Sequence, residues 1–326
     1  MAKSQITNKA KIPLSMAVFL AVDHYDHDPG TLSATALLKP LRQAILSRRV
    51  PPELMTVELA DLLSSRNGTA IHDGIERAWT DHHKQALEKL GYSPDIIRRF
   101  KINPDPKTVT ATDIPVYMEL RSYKEFMGFR ISGKFDFVGD GALEDFKTTS
   151  TFSFMSGTKD KDYVLQGSIY RWLNPNIITK DTMSIQFIFT DWQSFMAKQN
   201  ANYPQYKTAT RRFELLSLEE TEAYVRNRLE QYMKYKDAAE LDLPECTASE
   251  LWRSDPVWKY YKNPQKKTKA TKNFDNEKEG VERFLADGSV GELVMIPGLV
   301  KACAYCPAYP VCTQKDRLIL SGDLVN

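Results

Sequence analysis

The sequence predicts an α/β protein, a central mixed sheet flanked by helices, with a loop-rich C-terminal extension. Three observations lead there. Apolar residues alternate with a period of two in runs at 116–122, 129–138, 143–149 and 184–190, the pattern of half-buried strands. Helical spacing marks the chain before them, and a further helical segment separates the third run from the fourth, so the chain crosses over between those strands. A chain of 326 residues, 42% hydrophobic and 26% charged, has ordinary globular content and is long for one compact domain. Residues 1–32 are read as an N-terminal segment, 33–238 as the core and 239–326 as the extension. A formal charge of +2 is too small to point to a partner.

The elements follow in order. Lys3, Lys9 and Lys11 precede an apolar run at 12–22 that resembles a secretory leader. No small-residue cleavage site follows it, and it is too short to span a bilayer, so a short packed segment of a cytoplasmic protein is expected. His24 and His27, set among aspartates, are read as a polar loop. Residues 33–49 suit a helix, capped by Ser33 or Thr35, with Leu37, Leu38, Leu41 and Ile45 on one face. A second helix is expected at 57–65 and a longer one at 68–90. The strands come next, with Gly139-Asp140-Gly141 reversing the chain between the second and third. Residues 208–215 suit another strand, and Ser217-Leu218-Glu219-Glu220 is a capping box opening a helix to about 236.

The hairpin at 129–149 carries the chemistry. Asp136 lies on its first strand, and Asp145 and Lys147, two apart, project from one face of its return strand. In suitable register this brings two carboxylates and an ammonium together. Carboxylates hold hard divalent cations, which lower the pKa of a bound water and neutralise charge on a phosphodiester under attack. Lys147 would then stabilise the developing charge. An exposed ion pair on a surface hairpin is the alternative. Gln166 and Tyr170, four apart, share a helical face and can hydrogen-bond a phosphate or a carboxylate. His72 and Glu76 share another, and imidazole is an accepted ligand for Mn²⁺.

In this order, His72, Gly133-Lys134-Phe135-Asp136, Asp145-Phe146-Lys147-Thr148 and Gln166-Gly167-Ser168-Ile169-Tyr170 resemble the motifs of RecB-like nucleases of the PD-(D/E)XK superfamily, over about residues 33–195. The resemblance implies a restriction-endonuclease-like core that binds Mg²⁺ or Mn²⁺. It makes His72, Asp136 and Asp145 metal ligands, with the Phe146 carbonyl assisting. Lys147 becomes the catalytic lysine, and Gln166 and Tyr170 complete the pocket. Glu119, in an alternating stretch, is read as an ordinary exposed strand residue rather than a further acidic contributor.

Four cysteines complete the pattern: Cys246, and Cys303, Cys306 and Cys312 in a C-x2-C-x5-C run. Four thiolates suit structural Zn²⁺ or an iron–sulfur cluster; reduced thiols packed in a core, or two disulfides, which a cytosolic enzyme disfavours, are the alternatives. The triplet resembles that of AddB-like nucleases and CRISPR-associated relatives, which implies a 4Fe–4S cluster. Those relatives carry their lone cysteine before the core, where this chain has none, so Cys246 is taken as the fourth ligand from its similarity to a Cys–Trp segment of phage-encoded nucleases.

Lys259, Lys262, Lys266, Lys267, Lys269 and Lys272 crowd one stretch beside Trp258, Tyr260 and Tyr261, a composition that suits nucleic acid or, equally, a solvated loop. Together these features lead us to expect a metal-dependent DNA exonuclease of a bacterial or phage-infected cytoplasm. It would work on DNA ends in recombination, repair or phage replication, alongside a helicase, an annealing protein or further copies of itself. The competing expectations are a catalytically idle DNA-end-binding subunit and a zinc-stabilised nucleic-acid adaptor.

Overall fold

The structure, a computed structural model, describes residues 5–22, 28 and 30–325; His24 and His27 lie outside the described residues. In chain order the elements are β1 (Gln5–Thr7), α1 (Leu14–Ala21), β2 (Leu32–Ser33), α2 (Ala34–Leu37), α3 (Leu41–Leu46), β3 (Thr56–Glu58), α4 (Leu63–Lys89), α5 (Pro94–Arg99), β4 (Phe100–Ile102), β5 (Ile114–Phe126), β6 (Phe129–Gly139), β7 (Ala142–Thr149), α6 (Thr151–Ser156), α7 (Asp160–Leu173), β8 (Thr182–Phe189), α8 (Ser194–Gln199), β9 (Thr208–Glu214), α9 (Leu218–Tyr235), β10 (Val257–Tyr261), β11 (Lys272–Phe274), α10 (Glu277–Ala286), β12 (Glu292–Ile296) and α11 (Thr313–Leu320). They gather into two compact units. One takes the described residues from 5 to 39 together with 56–231, and the other takes 40–55 together with 232–325.

The first unit is built on a 7-stranded mixed sheet in the order β4-β5-β6-β7-β8-β9, with β2 added beside β6. β5, β6 and β7 form an antiparallel meander, and β7 pairs parallel to β8 because α7 carries the chain across. Both meander turns place two residues at positive φ, Met127-Gly128 and Asp140-Gly141, the backbone that matches strand twist in a two-residue hairpin. One face packs on α7 and α9 through Ile131, Phe135, Leu143, Ile169, Trp172 and Val225. The other packs on α4, whose Ile75 and Trp79 meet Val116, Met118 and Phe137. A mixed sheet between helices is the arrangement a generic PD-(D/E)XK-like core requires. Among the described residues no helix is long and apolar enough to cross a membrane.

Three expectations about elements need correction. The helix expected at 33–49 is broken into α2 and α3 by Lys39-Pro40, where proline restricts the residue before it and cannot donate to a preceding turn. The helix expected at 57–65 begins as β3, because Val57 pairs with Ile6 of β1, and the helix proper starts at Leu63. The run at 12–22 forms α1 with only Leu20 buried, while Leu14 and Val18 stay exposed, so it is less packed than its composition suggests.

The second unit is less loop-rich than expected. β10 pairs antiparallel with both β11 and β12, and α10 lies against these strands. Tyr260 is fully buried there, and its hydroxyl donates to the Val290 carbonyl at 2.6 Å. Elsewhere in this unit α3 packs on Leu243 and Ala308, and the buried Arg42 donates to the Leu243 carbonyl at 3.0 Å and pairs with Glu240.

Candidate metal centre

The site forms where α4 crosses the β5–β6–β7 meander. His72, Ile75 and Trp79 follow helical spacing i, i+3, i+7, so the stripe that packs on the sheet also turns the imidazole toward it. Trp79 anchors that stripe, its ring 5.3 Å from Phe137. The His72 Nε2 then lies 3.1 Å from the Phe146 carbonyl, and Nδ1 lies 3.5 Å from Glu119 and 3.6 Å from Asp136.

Glu119 and Asp136 meet through an irregularity of two strands at once. Met118 pairs with Phe137 and Leu120 with Phe135, which leaves Glu119 and Asp136 facing each other where the ladder is interrupted. Glu119 has φ +49°, a left-handed conformation inside a strand. The pleat steps at this point. Tyr117 and Leu120 both reach the α7 side, and Phe135 and Phe137, two apart, reach opposite sides. Backbone strain of this kind concentrates where side chains must be aimed.

His72, Glu119 and Asp136 offer one ligand atom each, all within 4.8 Å of one another, and they are the one such group of metal-ligating side chains among the described residues. Glu119, read from the sequence as an ordinary exposed strand residue, is thus brought into the group by its left-handed backbone, which the sequence pattern does not signal. The expected ligand Asp145 is not in the group, and neither is Glu76. Asp145 is 2% exposed on the α7 side and pairs with Lys147 of its own strand, as the two-residue spacing predicts. Phe146 sits between the two clusters, its N–H donating to Asp136 at 2.9 Å. Gln166 donates to the Tyr170 hydroxyl at 2.7 Å, and the Tyr170 ring is buried in the main core against Gly133.

The electrostatics favour a cation. Burial, reinforced by Asp145, pushes the Asp136 carboxyl up to about 7 against the pull of Lys147 and His72. Burial also opposes charge on His72, but the Glu119 hydrogen bond and the charge of Asp136 raise its pKa above the usual value. Burial would raise Glu119 too; His72 and Lys134 outweigh it and hold that carboxyl down. Lys147 loses charge stability to burial and regains more from Asp145 and Asp136, so its pKa is raised. One imidazole and two carboxylates, one of them costly to ionise, form a donor set that fits a divalent metal ion.

The four-cysteine cofactor is corrected. Among the described residues the one group that could hold a metal ion is His72, Glu119 and Asp136, and no iron–sulfur or zinc coordination is evident at the cysteines. All four are half-buried, and none is in a disulfide. Cys306 and Cys312 pack on the cluster of Leu41, Ile45, Leu46 and Leu243, whereas Cys246 and Cys303 pack on that of Leu251, Val300 and Leu318. Apolar burial, ahead of Glu250 and the other thiols, pushes Cys246 up to about 12, so it is held as a thiol.

No family model and no curated protein matches the chain. Two solved structures resemble it distantly. The protein SSO0001 is 15% identical with a TM-score of 0.40, over 72% of this chain and 91% of that one. A phage-related exonuclease from Haemophilus somnus 129PT is 18% identical with a TM-score of 0.26, over 37% of this chain and 60% of the exonuclease. Likenesses this distant carry no chemistry to the present chain.

Proposed function

We propose that the chain is a metal-dependent phosphodiesterase that hydrolyses DNA, acting as an exonuclease at DNA ends. The observation that supports this is the convergence of His72, Glu119 and Asp136 beside the Asp145–Lys147 pair. A divalent ion held by the first three residues would lower the pKa of a bound water and neutralise charge on phosphoryl oxygens. Asp145 keeps the Lys147 ammonium protonated and fixed, and Lys147 stabilises charge that develops on the phosphate. Phe146 orients two ligands through its backbone, with its N–H on Asp136 and its carbonyl on the His72 ring. Gln166 and Tyr170 brace the helix face behind Gly133.

The test is incubation of end-labelled single- and double-stranded DNA with a panel of divalent chlorides, and with EDTA. Loss of label as mononucleotides, dependent on the ion and abolished in Lys147→Ala, is the expected result. Binding without cleavage under every ion would leave a DNA-end-binding protein and refute the hydrolase.

A further inference from the structure

The second unit holds two aromatic rings out to solvent. Trp252 is 53% and Tyr305 is 77% exposed, and their ring centroids lie 6.0 Å apart at an interplanar angle of 39°. Single exposed apolar residues are ordinary. These two differ in how they are held. Trp252 has φ +48°, the left-handed region that suits glycine and strains a bulky side chain. The residues on either side are pinned, Leu251 through its backbone and Arg253 through its side chain. Leu251 is buried, and its carbonyl accepts from Lys301 at 3.2 Å and Ala302 at 3.1 Å. Arg253 donates to the Gly298 carbonyl at 3.0 Å and to Asp323 at 2.9 Å. The fold thus accepts strain to present an indole that it does not bury.

The charges of the same unit lie along the β10–β12 ribbon: Lys301 adjoins the rings beyond the Val257–Ile296 end, and the other lysines follow Tyr261 at the opposite end, within reach of a strand several nucleotides long. Between Tyr261 and Phe274 the connection from β10 to β11 carries Lys262, Lys266, Lys267, Lys269 and Lys272, all exposed, and no acidic residue. Lys267 pairs with Glu292. Lys301, also exposed, follows directly on the ribbon that β12 continues toward Trp252. Tyr260 and Tyr261, which the sequence sets beside these lysines, are buried and offer no face for stacking. Trp258 is half-buried, and among the described residues of this unit the exposed aromatic rings are those of Trp252 and Tyr305.

We infer that the Trp252–Tyr305 pair is a base-stacking platform for single-stranded nucleic acid, with Lys301 and the β10–β11 lysines taking its phosphates. Bases in a duplex are already stacked on one another, whereas an unpaired base has a free face. Rings 6.0 Å apart leave no room for a base between them, which would need two contacts of about 3.5 Å, so a base stacks on an outer face. The inference rests on the nuclease reading for its ligand class, and on the second unit alone for its geometry.

The test is fluorescence anisotropy of a labelled oligothymidylate of about twenty nucleotides, in EDTA so that no cleavage intervenes. Trp252→Gly is the informative variant, because glycine is at home at φ +48° and the fold should keep or gain thermal stability. Trp252→Gly and Tyr305→Ala should each weaken binding about tenfold, and Trp252→Phe should retain most of it. An abasic oligomer of the same length should bind wild type and Trp252→Gly alike. Unchanged affinity of Trp252→Gly for the oligothymidylate would overturn the proposal, as would an equal loss for the abasic oligomer. A switch from dimer to monomer in sedimentation, with oligonucleotide affinity intact, would make the rings a self-association surface and overturn it too. Binding through the rings without cleavage under any ion would sink the hydrolase and uphold the platform; cleavage with ring-independent binding would do the reverse.

Discussion

Glu119 and Asp136 occupy facing positions on two strands, yet burial and neighbours drive their pKa values in opposite directions. Asp136 bears on stability. Its folded pKa of about 7 lies above the ordinary 3.8, so the native state binds more protons than the unfolded chain between those values. Metal-free protein should therefore lose stability as pH rises from about 4 to 7. His72 adds to that loss, since its raised pKa gives stability that is complete below its usual 6.5 and disappears as pH passes the folded value. Asp136→Asn removes the larger penalty. In EDTA it should raise the melting temperature at pH 8 and change little at pH 4, while abolishing the thermal shift that a divalent ion gives wild type. A variant melting lower than wild type at pH 8 would show that the carboxylate is not strained. Lys147→Ala should behave differently, keeping the ion-induced thermal shift but losing hydrolysis by about a hundredfold or more, because Lys147 lies outside the ligand group. Parallel measurement of melting shift and of label release separates the two roles.

At the scale of elements, the legible parts were those whose local pattern agrees with their tertiary setting. The β6–β7 hairpin was readable because alternation, a Gly-Asp-Gly turn and the Asp-x-Lys spacing all point one way, and Asp145 and Lys147 do share a face. The register that sets Glu119 opposite Asp136 was not readable, since it depends on a left-handed residue inside a strand, which no periodicity announces. Glu76 shares a helical face with His72 but stays out of the group, because the sheet supplies the second acid. The β1–β3 pairing that turns Val57 extended is likewise tertiary. Pro40 was a legible signal that the apolar spacing of Leu37, Leu41 and Ile45 concealed. Gly133 shows why a motif glycine matters to packing. A Cβ there would lie 2.7 Å from the Leu173 side chain and 2.9 Å from the Tyr170 ring. Gly133→Ala should accordingly cost about 1–3 kcal/mol by overpacking α7 against β6. Chemical denaturation reads that loss directly, and a variant as stable as wild type would mean that α7 can retreat without cost.

For the whole molecule the question is how two unequal cores share one chain. The first unit has a large apolar core running from Leu32 to Leu229 on one face of a long sheet, and a smaller cluster of Val116, Met118 and Phe137 on the other. The second relies on two small clusters, one around Leu41, Ile45, Leu46 and Leu243 and one around Leu251, Val300, Leu318 and Leu324, with a short three-stranded sheet under α10. Buried apolar area sets the favourable side of folding, and small cores leave little margin over chain entropy. No disulfide among the four cysteines alters that balance. Two-state melting is a property of single small domains, and a chain with unequal cores departs from it. The expected calorimetric trace therefore has two transitions, the lower one belonging to the second unit. His72, Glu119 and Asp136, the proposed ligands, all lie in the first unit, so a divalent ion should move only the upper transition, in proportion to the logarithm of its concentration over Kd. Trp252→Gly should leave the upper transition untouched and hold or raise the lower. Limited proteolysis between the two midpoints would assign them, with cleavage falling after residue 232 while the sheet that carries His72, Glu119 and Asp136 stays protected. A single transition that moves as one with the ion would mean that the smaller core draws its stability from the larger, and the cysteine-bearing unit would then have no independent fold.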